Sequence, residues 1–132
     1  MLKAVFPGSF DPFHEGHLYV LKKSLSFFDS IIVLVSNNSL KKHKKSLQDR
    51  KEHIIKYLKK NNISNVIVDI NDGLTMEYCK KNNIIFLIRG IRDKNDIEYE
   101  QNLYHQYQEI NSKIVIFYFY STKNLINKHS SN

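Results

Sequence analysis

Five apolar residues in succession, Ile31 to Val35, constrain the fold of this chain more than any other stretch. A run of that length with no polar alternate marks a strand covered on both faces, the environment of a parallel sheet between helices. The segment before it has a different period. Leu18, Leu21, Leu25 and Phe28 recur three or four apart, as one stripe of a helix does. The alternation continues along the chain. Leu2 to Phe6, Val66 to Ile70, Ile84 to Ile88 and Ile114 to Phe119 read as four further strands. Between them, Leu47, Ile54, Ile55 and Leu58 line a helix that Ser46 and Asp49 open like a capping box. Thr75 to Asn82 reads as a short helix and Asp93 to Gln108 as a polar one. The chain has 132 residues with only 4 Gly and 2 Pro, and no linker or repeat interrupts the pattern, so one domain over 1–132 is expected. Strands alternating with helices predict an α/β fold: a Rossmann-like open parallel five-stranded sheet with helices on both faces. Ligands of such sheets sit beyond the carboxyl ends of the strands, where the strand order reverses. The segments that follow the strands are therefore where chemistry is expected.

The segment after the first strand reads Phe6-Pro7-Gly8-Ser9-Phe10-Asp11-Pro12-Phe13-His14-Glu15-Gly16-His17. Gly8 suits a tight turn near a ligand. Ser9 offers a hydroxyl and a backbone N–H. His14 and His17 fall where the first helix begins, and a helix N-terminus favours polyphosphate through its unpaired N–H groups and dipole. The spacing of this pair is not the i, i+4 arrangement of a zinc protease, and no third ligand is apparent. After the fourth strand comes Arg89-Gly90-Ile91-Arg92-Asp93, then Asp96-Ile97-Glu98-Tyr99-Glu100. Guanidinium forks match phosphate oxygens, and Gly90 between two of them admits close backbone approach. The segment after the second strand carries Lys41-Lys42-His43-Lys44-Lys45, which suits either a solvated face or a polyanion.

The formal net charge is +7. Such a balance favours polyanionic partners, namely nucleic acid, an acidic surface or phosphorylated small molecules, although abundant Lys, Asn and Ile also suggest a compositional bias. The aromatic residues sit in core-like positions and the last strand without an RNA-binding signature, so nucleic acid is not expected as a partner. The single cysteine, Cys79, excludes an internal disulfide and a multi-cysteine zinc site, and is expected to be buried and structural. No apolar run approaches the ~20 residues that span a bilayer. Residues 1–6 lack a signal-peptide layout. A cytoplasmic location away from membranes is the expectation.

Pro7-Gly8-Ser9-Phe10-Asp11-Pro12 leading into His14-x-Gly16-His17 resembles the signature of the nucleotidyltransferase superfamily. The segment from Leu87 to Glu100 is similar, nearly residue for residue, to the phosphopantetheine adenylyltransferase family. That resemblance implies transfer of the adenylyl group of ATP to 4'-phosphopantetheine, giving dephospho-CoA and pyrophosphate. It implies catalytic roles for His17, Lys41 and Arg89. It implies ATP contacts from Ser9, Phe10, His14, His17, Gly90, Ile91, Arg92, Glu100, Ser130 and Ser131. It implies acceptor contacts from Ser9, Lys41, Leu74, Thr75 and Arg89. The family pattern has a proline two residues after its functional lysine. His43 stands there in this chain, which leaves Lys41 and Lys42 both open for that role. Mg²⁺ is implied as a cofactor, held mainly by ATP phosphates with no protein ligand set, and a homohexamer is implied as the assembly. The resemblance also implies a serine-rich turn after the fifth strand and a closing helix. Only His129-Ser130-Ser131-Asn132 stands there, so the helix is expected to be missing. Two alternatives share the first motif: an enzyme acting on nicotinate mononucleotide, and an inactive paralogue that still binds ATP.

Overall fold

The computed structural model describes residues 2–37 and 42–121. Five strands and four helices alternate: β1 (Lys3–Gly8), α1 (Glu15–Ser24), β2 (Ser30–Ser36), α2 (Leu47–Lys60), β3 (Val66–Asn71), α3 (Thr75–Lys81), β4 (Phe86–Ile91), α4 (Lys94–Ile110) and β5 (Val115–Tyr120). The strands form one sheet in the order β3-β2-β1-β4-β5. Every pairing is parallel. The order reverses between β1 and β4, so the crevice expected of this architecture opens at their carboxyl ends.

The apolar run of β2 divides between the two faces, as the two-residue period of a strand requires. Ile31, Val33 and Val35 join Leu18, Leu21, Phe28, Ile54 and Leu58 in one core cluster. Ile32 and Leu34 join Met76, Cys79, Leu87 and Ile114 in the other. Cys79 is 1% exposed, and burial pushes its thiol up to about 11, so it stays protonated and packs as a small apolar group. None of the described helices is long and apolar enough to cross a membrane.

Three sequence expectations need correction. The fourth strand runs over Phe86–Ile91 rather than Ile84 to Ile88. Ile84 instead closes α3, where its N–H donates to the Cys79 carbonyl at 2.9 Å after Asn83 turns the chain at φ 55°. The ladder then extends through the arginine motif, with Arg89, Gly90 and Ile91 opposite Tyr118, Phe119 and Tyr120. The motif is thus a strand end held on a rigid sheet, not a loop. On α2, Ile55 is 45% exposed, and the buried stripe is Arg50, Ile54 and Leu58, four residues apart. Gly8, expected in a tight turn, is the last residue of β1, and the turn follows it. The left-handed conformation falls on Phe10, at φ 49°.

The Phe10 ring folds back over Gly8. A Cβ on Gly8 would lie 2.9 Å from its Cζ. Phe10 is 3% exposed and packs edge-on against Phe6 at 5.2 Å and His17 at 4.9 Å. Gly8→Ala is therefore expected to displace Phe10 and, through it, His17. Overpacking of this kind costs about 1–3 kcal/mol. Thermal melting and kcat measured together check this, and a variant with wild-type values in both would refute it.

Candidate active site

A cleft of about 750 Å³ lies over the carboxyl ends of β1 and β4. Ser9, Phe10, His14, His17, Thr75, Arg89, Gly90, Arg92 and Glu100, all singled out by sequence, line it. Two others do not. Leu74 precedes α3 and is 62% exposed, and the Ile91 side chain is buried in the sheet. Lys41, Ser130 and Ser131 lie outside the described residues, while Lys42 lines the cleft.

The histidines at the start of α1 cap the helix reciprocally. Nδ1 of His14 accepts the Gly16 N–H at 3.0 Å, and Nδ1 of His17 accepts the His14 N–H at 3.0 Å. Their rings stack with centroids 3.9 Å apart. A ring nitrogen that accepts a backbone N–H carries no proton, so each neutral imidazole holds its hydrogen on Nε2. The cap thus defines the tautomer, with the Nε2–H of His17 left as a donor. Phe10 and Phe13 flank the His17 ring at 4.9 and 5.2 Å and restrict its rotation.

His14 is held below the ordinary histidine value of 6.5, first by burial and then by the Arg92 charge. The unfolded chain therefore binds a proton more readily than the folded one. The His14 contribution to stability is complete above about pH 6.5 and is lost as pH falls through the depressed folded value. An NMR titration of the His14 ring is expected to give a midpoint below 6.5, and a midpoint above it would reverse the sign.

Arg89 is anchored on three sides. Nε and Nη2 donate to the two Glu100 oxygens at 2.9 and 2.7 Å, and Nη1 donates to the Pro7 carbonyl at 3.1 Å. Burial alone would depress its pKa, but the Glu100 carboxylate outweighs this and the net shift is upward. These contacts use three of the five donors of a guanidinium. Glu100 thus faces Arg89 and fixes its plane. Arg92 is looser. Its side chain is 52% exposed and, among the described residues, shares only the Asp96 carboxylate, at 3.4 Å from Nε. Gly90 has a packing task besides lining the cleft, because a Cβ there would meet Val20 of α1 at 3.2 Å.

Asp11, Asn37 and Arg50 are among the residues about the cleft to which the sequence reading gave no role. Asp11 accepts the Lys44 N–H at 2.8 Å, a bond that holds its carboxyl below the usual range and clips the approach to α2 onto the segment after β1. Arg50 is buried beneath the cleft, and Asn37 lines it. The signal for Arg50 was present. It stands four residues before Ile54 on the apolar stripe of α2, where a charged residue needs internal partners.

An open parallel sheet with a His-x-Gly-His helix start and an arginine-bearing strand end at its switch point has the layout of a nucleotidyltransferase. Residues 5–132 match the family model described as cytidylyltransferase-like. The phosphopantetheine adenylyltransferase of Mycoplasma capricolum subsp. capricolum is 42% identical over 119 residues, which cover 89% of this chain and 84% of that one. Its counterpart in Mycoplasma mycoides subsp. mycoides is 39% identical over 121 residues, covering 92% and 86%. Among solved structures, a bifunctional NMN adenylyltransferase/ADP ribose pyrophosphatase from Francisella tularensis superposes with a TM-score of 0.67 at 18% identity. That match covers 99% of this chain and 42% of the other, and shows the fold alone. The chain belongs to the phosphopantetheine adenylyltransferases within the cytidylyltransferase-like family.

Proposed function

We propose that this chain transfers the adenylyl group of ATP to the phosphate of 4'-phosphopantetheine, forming dephospho-CoA and releasing pyrophosphate. The observation that carries the reading is the pair of Nε2-protonated histidines at the N-terminus of α1, lining one cleft with Arg89 and Arg92. The sequence relatives named above support the choice of acceptor.

A phosphate oxygen of the acceptor attacks the α-phosphorus of ATP, and the bond from that phosphorus to the β-phosphate bridging oxygen breaks. The nucleophile is already anionic at neutral pH, so no residue has to remove a proton. Positioning and charge stabilisation supply the catalysis. His17 Nε2–H donates to an oxygen of the α-phosphate as charge builds there, and His14 supports it at the nucleotide phosphates. The Ser9 and Phe10 backbone and the exposed Arg92 hold the ATP phosphates, with Gly90 and Ile91 offering main chain beside them. Arg89, oriented by Glu100, faces the acceptor phosphate together with Ser9 and a lysine of the 41–42 pair. Thr75, with Leu74 before it, borders the acceptor's organic arm.

ATP enters as its magnesium complex. Among the described residues no three His, Cys, Asp or Glu side chains gather as ligands for one ion, and the arginines, lysines and imidazole N–H groups lining the cleft suit phosphate oxygens rather than a bare cation. That donor set fits an ion carried by the nucleotide. A cytoplasmic location accords with the buried, protonated Cys79. Self-association, with a hexamer as the expected size, is supported by exposed apolar residues on edge strand β5 and on α4: Val115, Tyr118, Tyr120, Tyr99, Tyr104 and Ile110. A monomer in sedimentation at micromolar concentration would count against it.

The function is tested by pyrophosphate release from ATP and Mg²⁺ with 4'-phosphopantetheine or nicotinate mononucleotide. Release only with the former is the expected result. Turnover of nicotinate mononucleotide alone would replace the reading.

A further inference from the structure

Arg50 is 2% exposed and touches three segments at once. Its Nε donates to the carbonyls of Lys45 and Ser46 at 3.0 and 3.3 Å, on the approach to α2. Its Nη1 donates to the carbonyls of Ser9 at 2.8 Å, after β1, and Ser36 at 3.3 Å, at the end of β2. Its Nη2 donates to Oδ1 of Asn37. Among the described residues no carboxylate forms a salt bridge with it. The guanidinium therefore joins the carboxyl ends of β1 and β2 through carbonyl oxygens and one side-chain amide.

That amide carries the inference. A guanidinium has donors only, so the Asn37 atom facing it has to be the carbonyl oxygen. The Asn37 nitrogen, with its two N–H groups, is thereby turned away from Arg50, and Asn37 lines the cleft beside Ser36 and Lys42. We propose that Asn37 Nδ2 donates to a phosphate oxygen of bound substrate, and that Arg50 is the positioning residue that orients it. The proposal rests on the adenylyl-transfer reading for the identity of the phosphates. The chemistry is common to both substrates, the nucleotide and the phosphorylated acceptor.

Asn37→Asp separates this role from a merely structural one. The aspartate keeps an oxygen against Arg50 and adds a charge pair, so the melting temperature is expected to hold or rise. It removes the donor and sets a negative charge beside a phosphate. A hydrogen bond to a charged group is involved, so KM for one substrate is expected to rise about tenfold or more. The substrate whose KM rises is the one contacted. Asn37→Ala should raise the same KM, and Arg50→Lys should raise it while lowering the melting temperature. Combined with Asn37→Ala, Arg50→Lys should add little further to KM, because the group it orients is already gone. KM values for both substrates within twofold of wild type in Asn37→Asp and Asn37→Ala would overturn the proposal with the reaction intact. Calorimetric binding of ATP and of 4'-phosphopantetheine to wild type and Asn37→Asp keeps the test independent of turnover. Weaker binding of either ligand supports the donor, even if no pyrophosphate is released and the adenylyl-transfer reading fails. Equal affinities for both ligands refute the donor.

Discussion

His17→Ala is expected to lower kcat by about 10²–10³-fold, the usual effect of deleting a donor aimed at developing charge. The variant also loses half of the cap on α1, because His17 Nδ1 accepts the His14 N–H. Loss of a cap costs about 1 kcal/mol, which is too little to explain such a fall in rate. His17→Gln divides the two effects. Glutamine at the third helical position can accept the same N–H through its side-chain oxygen, so stability should largely return. The donor would no longer lie where the constrained imidazole holds it, so kcat should stay low. Wild-type turnover in either variant would remove His17 from the reaction. Full recovery of kcat in the glutamine variant would show that the cap alone mattered.

Breaking the Arg89–Glu100 pair is expected to be the most destabilising single change in the site. The side chains are only 17% and 6% exposed, and Nη2 lies 2.7 Å from the carboxylate. Removing one partner leaves the other charge buried, which costs about 3–5 kcal/mol. Arg89→Ala also releases the Pro7 carbonyl, so β4 loses a tie to β1 beside the cleft. Urea denaturation should show Glu100→Ala losing stability on this scale, and Glu100→Gln losing less because it retains an acceptor oxygen for one of the two bonds. In the glutamine variant, weaker orientation of Arg89 should raise KM for the acceptor while the fold persists. A Glu100→Ala protein as stable as wild type would mean that water reaches the pair and screens it.

The two arginines of the cleft are thus unlike in design. Arg89 is locked in a buried fork, whereas Arg92 holds only an exposed contact with Asp96, of a kind worth about 0–1 kcal/mol. A rigid arginine can hold a fixed phosphate position, whereas an exposed one can adjust to its ligand. Asp11 adds a third element, since it couples the approach to α2 to the segment that leads into His14.

Much of this was legible before any coordinates, because burial leaves periodic marks. The unbroken Ile31 to Val35 run required a strand covered on both faces, and the helical stripe from Leu18 required a helix to cover one of them. The position of His14 and His17 at a helix start also followed from their place between strand and stripe. Where the pattern misled, a polar residue was doing a core residue's job. Arg89 sits in a strand, which ended β4 too early in the sequence reading, and Arg50 sits on a buried helical stripe.

What the one-dimensional pattern determined was therefore the order of elements, the parallel sheet, and which segments meet at its switch point. These depend on periodicity and chain direction, which are local. Tertiary structure alone decided which groups are spent on holding the site and which are turned toward a ligand. Glu100 faces Arg89, Gly8 yields its space to Phe10, and Arg50 sets the face that Asn37 presents. Those outcomes depend on distances that the fold sets between residues two, eleven and thirteen positions apart, separations that carry no periodic mark, and hydrogen-bond donors and acceptors are assigned only when such partners meet.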